Sequence, residues 1–209
     1  MKLEYRMCHT LSPESLQISH YVCDDMSVKK SQERTYSECS HKKQRFKDHP
    51  CYGYTQLYYG NDPFLYVTTP TMKCLFGIKQ NYGSNFEMCL QFNDLESDPV
   101  MQQFYEFVET VEFVCMKHLG LSADEEDRFV SQIKYDKERK YEPKINVKVP
   151  FTYNQFQTDV YSDTEKDKSV NLLSIPKFTN MECDIYLDKI WRMNGKFYAK
   201  WKCRCIHIV

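Results

Sequence analysis

Glycine is scarce in this sequence, with 6 residues in 209. Neither GxGxxG nor GxxxxGK[ST] occurs, which excludes the glycine-rich phosphate loops of nucleotide-binding enzymes. Long apolar runs are missing as well, and none approaches the roughly 18 residues of a membrane-spanning helix. The opening residues, Met1 to Arg6, hold no apolar segment, so no secretory signal and no membrane partner are expected. An excess of one charge is also lacking: 28 Lys and Arg stand against 29 Asp and Glu, a net charge of −1. A nucleic-acid partner would therefore have to meet a local basic patch. GxSxG and HExxH are absent, and the sequence predicts neither an enzyme nor a cofactor.

Aromatic residues are abundant, at 15% of the chain, and 16 of them are Tyr. A hydrophobic share of 42% is enough for a substantial core and argues against general disorder. The 10 cysteines, without an export signal, read as reduced thiols that serve mostly as small core residues.

Two regions are expected. Residues 1–60 are polar, rich in Cys, His, Ser and Lys, and without sustained periodicity: an N-terminal extension, a small irregular module or partly disordered chain. Residues 61–209 carry regular patterns. Phe64 to Thr69 has strand composition. Met72, Cys74, Phe76 and Ile78 alternate with their neighbours, and so do Phe86, Met88, Leu90 and Phe92 across a Gly/Asn turn. This period of two predicts antiparallel strands. Asp98-Pro99 then opens a helix whose apolar stripe is Val100, Phe104, Phe107, Val108, Val111, Cys115 and Leu119, closed by Gly120. Ser122 to Glu125 reads as a capping box for a second, shorter helix with Phe129, Val130 and Ile133. Ile145, Val147 and Val149 predict another half-buried strand, residues 162–169 an exposed charged loop, and Leu172 to Pro176 a packed connector.

The clearest signal is last. Asn194-Gly195 between two strand-like runs predicts a two-residue hairpin. In that register Met193 faces Lys196, Trp191 faces Tyr198 and Lys189 faces Lys200. One face would then carry the Trp191–Tyr198 pair among Lys189, Lys196, Lys200, Lys202 and Arg204. The other face would bury Ile190, Phe197, Ala199, Trp201, Cys203 and Cys205. From Lys196 to Arg204 there is no acidic residue. Aromatic faces stack on bases and cations follow phosphates, so this face suits single-stranded nucleic acid. Lys73 and Lys148, on the outer faces of their own strands, are counted with it. A Lys-rich outer face that protects a sheet edge is the plainer alternative. The same register sets Leu187 and Ile185 opposite Lys202 and Arg204, which calls for a bulge or a buried end.

The order of motifs resembles a known family. Thr69-Pro70-Thr71-Met72-Lys73-Cys74-Leu75-Phe76-Gly77-Ile78 is similar to a TPxMKxxFGI strand element. Phe86 to Phe92 follows it, then the helix with Phe104-Tyr105-Glu106-Phe107, then Tyr141 to Pro150. Ile190 to Trp201 is similar to an IWfxnGKFgxxW hairpin. The series, over about residues 64–209, resembles the OB-fold single-stranded DNA-binding proteins of large nucleocytoplasmic DNA viruses (the phycodnavirus, iridovirus and asfarvirus type). The resemblance implies a mainly antiparallel α+β fold, an OB-type β-barrel with inserted helices. It implies coating of single-stranded DNA in replication or recombination, inside the cell at a nuclear or cytoplasmic viral replication site. Single-stranded RNA, self-association and other replication proteins remain open as partners. By resemblance Trp191, Lys196, Phe197 and Trp201 are the matching positions. Tyr198 departs from the family's small residue, and because the sequence closes on the strand-like run Cys205 to Val209, recruitment of partners by an acidic tail is not expected.

Two other constellations stand beside this. Cys39, His41, His49 and Cys51 form CxH…HxC, a candidate zinc set in a spacing outside the usual patterns, with Cys8, His9, His20 and Cys23 as alternatives. It would suit a non-enzymatic viral interaction or structural module held by zinc, against ordinary thiols and exposed polar residues. Asp136 with Glu138-Arg139-Lys140 resembles a nuclease-type carboxylate–lysine run, but no apolar neighbours would bury it, so a solvated connector is expected.

Overall fold

The structure is a computed structural model of the chain, and it describes residues 12, 15–19, 22–23, 53–83, 85–162 and 171–209. In chain order the described strands begin with β1 (Leu16–Ile18), β2 (Val22–Cys23), β3 (Gly53–Tyr59), β4 (Leu65–Thr68), β5 (Met72–Gln80) and β6 (Phe86–Gln91). The long helix α1 (Pro99–His118) comes next, followed by β7 (Ile133–Lys134), β8 (Lys144–Val149), β9 (Phe151–Thr152), β10 (Gln155–Phe156) and β11 (Asp159–Ser162). The chain ends with β12 (Thr179–Leu187), β13 (Lys189–Met193), β14 (Lys196–Tyr198) and β15 (Lys202–Ile208).

Five of these strands close a barrel. β12, β5, β6 and β8 pair antiparallel in that order, and β15 pairs antiparallel with the other edge of β12. β15 then meets β8 in parallel, with Lys202 opposite Lys148. The Lys148 N–H donates to the Trp201 carbonyl at 2.8 Å. This is a five-stranded Greek-key barrel of the OB type, as the family resemblance implies. Period-two alternation builds its interior: Met88, Leu90, Ile145, Val147 and Val149 are all buried, while Glu87, Gln91, Lys144 and Lys148 face out.

Two bulges break the alternation and each turns an expected core residue outward; the one in β12–β15 is the kind of register shift that Leu187 and Ile185 called for. In β5 the register runs from Cys74 opposite Leu90 to Ile78 opposite Met88. Gly77 sits in the loop-out at φ +67°, and a Cβ there would lie 2.7 Å from the Ile175 carbonyl oxygen. Phe76 is thereby turned outward, 40% exposed under the Lys79 ammonium, instead of joining the core. In β12–β15 the pairing passes from Ile185–Cys203 to Asp184–Cys205, so Arg204 is the extra residue. Ile185 meets a thiol instead of a guanidinium. Cys205, expected in the core, is left half-exposed on the outer side.

Helix α1 packs its apolar stripe into the same core, with Phe104 against Phe92 and Phe107 against Trp201. The Asp98 carboxylate accepts from the Val100 and Met101 N–H groups at 2.8 and 3.3 Å, capping two orphan donors. Met101, Phe104, Val108, Val111 and Cys115 form the buried stripe. Val100, expected in that stripe, is exposed because Met101 holds the first core-facing position. Glu112 is buried in the same helix and accepts the Gln132 N–H at 2.6 Å. Burial raises its carboxyl pKa above the ordinary value. The expected second helix is a 3-10 segment, Ala123–Arg128, none of it buried. Phe129 and Ile133 leave it: Phe129 bridges to Phe197, and Ile133 pairs with Ile145.

A second sheet stands beside the barrel in the order β1-β3-β13-β14, with β2 also on β3. Leu16 and Leu57 are buried within the same apolar cluster as the barrel. The β9–β10 hairpin and β11, which runs parallel to β15, were not anticipated from the sequence. Residues 163–170, the core of the predicted charged loop, lie outside the described residues.

Two stability outcomes follow from this packing. Gly77→Ala should destabilise the chain by roughly 1–3 kcal/mol, read as a lower urea midpoint, because both the backbone region and the Ile175 contact oppose a Cβ. A raised Glu112 pKa means that the folded state holds the proton more tightly than the unfolded one. Stability from this group is then greatest in acid and declines as pH rises through its folded pKa. Glu112→Gln keeps an acceptor for Gln132 without the charge. Urea unfolding of that variant should lose the decline and match or exceed wild type at neutral pH; a clear loss there would overturn the reading.

Candidate nucleic-acid interface

The hairpin forms in the expected register: Met193 faces Lys196, Arg192 faces Phe197 and Trp191 faces Tyr198. Asn194 and Gly195 turn at φ +52° and +76°, the backbone twist that fits a two-residue hairpin. Ile190 and Phe197 are buried on one side, and Trp191 is 40% exposed on the other.

The other edge of β13 pairs with β3, and this brings in Tyr54, one of the tyrosines that the sequence leaves unplaced between extending the stacking surface and merely covering it. Trp191 lies opposite Tyr54 as well as Tyr198. Three aromatics therefore stand in one row across three strands. The Trp191 and Tyr54 rings are 5.2 Å apart at 52°. The Lys189 ammonium lies 4.2 Å from the Tyr54 centroid and 5.8 Å from that of Trp191. The available signal was the alternation in Gly53–Tyr59, where Thr55 and Leu57 are buried and Tyr54 is not. Nothing local indicated that β3 would join a hairpin so distant in sequence.

The predicted cationic face is divided in two. Pairing in the hairpin stops at Tyr198, and Lys189 faces Gln56 of β3 instead of Lys200. Ala199 and Trp201 are buried, with Trp201 6.4 Å from the Phe107 ring, so the chain turns into the barrel there. Lys189 and Lys196 remain with Trp191 and Tyr198. Lys200 is exposed at the foot of the hairpin, and Lys202 and Arg204 belong to the barrel wall. Arg192, which the sequence reading left out of both faces, is buried; its guanidinium lies 5.9 Å from the Phe197 ring, and that of Arg128 lies 5.5 Å from it.

The barrel wall carries its own row. The registers link Lys79 to Glu87, Glu87 to Lys148, Lys148 to Lys202, Lys202 to Tyr186 and Tyr186 to Tyr66. Burial, then the adjacent Lys202 and Lys200 charges, push the Lys148 pKa down. Asp188 partly offsets this by pairing with Lys202 at 2.6 Å. Phe64, Tyr66 and Tyr186 form an aromatic cluster with centroids 4.2 to 6.2 Å apart. Arg204 donates to the Tyr66 hydroxyl at 2.8 Å. Lys73 is on the same wall in a second row, opposite Gln91, which faces Lys144. That row is about 13 Å from the Lys148 row, four residues along β6.

The competing constellations do not assemble here. Cys39, His41, His49 and Cys51, and also Cys8, His9 and His20, lie outside the described residues; Cys23 is described in backbone alone. Among the described residues, no group of three or more His, Cys, Asp or Glu could hold a metal ion. Glu138 is exposed in a turn closed by Arg139 N–H to the Asp136 carbonyl. Burial raises the thiol pKa to about 11 at Cys89 and about 12 at Cys115, so these cysteines stay protonated and poorly nucleophilic. No helix among the described residues is long and apolar enough to cross a membrane. What the arrangement offers is flat rings and positive charge.

Lys148 yields a direct test. A lysine pKa below its unfolded value means that the charged side chain opposes folding wherever it is protonated in the native state. Lys148→Met should therefore raise the melting temperature at neutral pH and low salt. The gain should shrink as salt screens the Lys200 and Lys202 charges. A variant less stable than wild type at low salt would contradict the assignment.

No protein-family model matches the sequence, and no curated protein matches it at a significant level. Solved structures of similar fold include the single-stranded DNA-binding protein from bacteriophage Enc34 in complex with single-stranded DNA. It is 10% identical, with 74% of this chain and 89% of that chain covered and a TM-score of 0.47. The single-stranded DNA-binding protein encoded by bacteriophage T7 is also similar. It is 10% identical, with 70% of this chain and 86% of that chain covered and a TM-score of 0.47.

Proposed function

We propose that this chain is a non-enzymatic protein that binds single-stranded DNA without sequence preference. The observation that carries the proposal is the cross-strand row Tyr54–Trp191–Tyr198, flanked by Lys189 and Lys196, with Lys148, Lys200 and Lys202 at the foot of the same hairpin. The hairpin joins the fourth and fifth barrel strands, and that connection is one of the places where OB barrels take oligonucleotides. Bases would stack on the row, and phosphates would follow the lysines. Lys73 and Lys144 extend the positive wall along β5 and β8, and Arg204 supports Tyr66 beside it.

On this reading residues 61–209 are the binding domain. Residues 1–60 are an extension that lends β3, and with it Tyr54, to the interface. The setting we infer is viral DNA replication or recombination inside the cell, of the large nucleocytoplasmic DNA virus type that the motif order resembles.

The test is fluorescence anisotropy with oligothymidylate over a salt series, with single-stranded RNA and duplex DNA as parallel arms. Trp191→Ala and Tyr54→Ala should each weaken binding about tenfold, since a stacked base contributes roughly 1–3 kcal/mol. Lys200→Ala should weaken it less and reduce the salt slope by about one. Wild-type affinity in both aromatic variants, with the fold intact, would remove the proposal.

A further inference from the structure

The hairpin β9–β10 turns on Tyr153 and Asn154, between Thr152 and its partner Gln155. Both turn residues are left-handed, at φ +52° and +59°. The same kind of two-residue turn is made at Asn194-Gly195 with residues that accept this region readily. A tyrosine there is unfavourable, so the turn itself does not explain its presence. Packing does not explain it either, because Tyr153 is 98% exposed.

The hairpin beneath the ring is built firmly. Phe151 and Phe156 face each other at 4.9 Å, and Phe86 touches both at 4.9 and 4.8 Å. The Gln157 N–H closes the base on the Pro150 carbonyl at 2.9 Å. An open depression of about 370 Å³ lies at the tip, lined by Phe151, Thr152, Tyr153 and Asn154. The location matters as much as the strain. The hairpin follows the last residue of β8, Val149, which is next to Lys148, and Tyr153 lies five positions beyond Lys148, a span of at most about 17 Å. Lys148 sits beside Lys202 and within the electrostatic reach of Lys200.

We infer that Tyr153 is a second stacking post, on which a base of the bound single strand rests after its backbone has passed the Lys148–Lys200–Lys202 group. This deepens the single-stranded DNA reading and rests on it. A rigid hairpin that holds a bare aromatic ring in a strained conformation, at the end of a cationic path, has its gain in the bound state.

Tyr153→Gly and Tyr153→Phe, each in the full chain, separate this role from a structural one. Urea unfolding of Tyr153→Gly should show a midpoint at or above wild type, because glycine accepts the left-handed region. Its affinity for long oligothymidylate should nevertheless fall about five- to tenfold. The shortest oligomers that bind, covered by the Trp191 row alone, should lose nothing. Tyr153→Phe should bind as wild type does, since the ring supplies the contact. Unchanged affinity of Tyr153→Gly at every length, while Trp191→Ala still weakens binding, would overturn this inference and leave the proposed function standing. A Phe variant as weak as the Gly variant would also overturn it. No binding by wild type would overturn both.

Discussion

The parallel contact between β8 and β15 is the constraint on which the other features depend. It consists of one register pair, Lys148 with Lys202, and a hydrogen bond from the Lys148 N–H to the Trp201 carbonyl. Without it the five strands form an open sheet, whose outer strands β15 and β8 are covered only in part by β11 and β7. To reach that contact the chain must return from the end of β12, and the route it takes is the β13–β14 hairpin. Two tryptophans ten residues apart then have opposite fates. Trp191, in the middle of the excursion, is left on the surface beside Tyr54. Trp201, where the chain re-enters the barrel, is fully buried against Phe107. The exposed aromatic row and the closed barrel are two results of one chain path.

Closure also has an electrostatic consequence. It sets two lysines directly across from one another and brings a third, Lys200, into range. Like charges in facing positions destabilise a sheet. Asp188 answers one of them and leaves the Lys148 pKa depressed. A barrel selected for stability alone would place an apolar or acidic side chain at position 148 or 202. A polyanion laid across the seam would relieve the repulsion that the fold leaves in place. Burial disfavours the charge of Glu112 in the helix as well, but its carboxyl accepts the Gln132 N–H and holds the 129–133 segment against the barrel.

Much of this was legible in the sequence wherever the chain obeys a local rule. The Asn194-Gly195 register, the Asp98 cap, the Phe104-to-Cys115 stripe and the alternation of β8 all depend on neighbours within a few residues. The OB-type barrel came from the order of motifs. What could not be read depends on distant partners. Tyr54 joins the aromatic row because β3 pairs with β13, which no local period encodes. Gly77 and Arg204 are bulges that preserve a core pairing at the cost of alternation, and they moved Phe76 and Cys205 to the outer side. The hairpin was extended too far, to Lys202 and Arg204, because the apolar demand of Trp201 on the Phe107 side was not visible in strand periodicity. Arg192, inward-facing by parity, is held against Phe197 beside a second guanidinium from Arg128, a contact that only the tertiary structure supplies.

The division of labour between lysine and arginine bears on what this surface can recognise. Arginine forks bidentately onto guanine and so reads base edges; a lysine ammonium is a mobile point charge suited to phosphate. At this site the arginines are engaged within the protein. Arg204 donates to Tyr66, Arg128 donates to the Gly195 carbonyl and pairs with Glu125, and Arg192 is buried against Phe197. The side chains left to meet a ligand around the aromatic row are Lys189, Lys196 and Lys200, with Lys148 partly exposed beside them and Lys202 paired with Asp188. On the proposed function, rings that stack on any base and charges that grip any phosphate would make this surface blind to sequence. Indifference to sequence would then follow from the kind of cation that the fold presents there, as much as from the number.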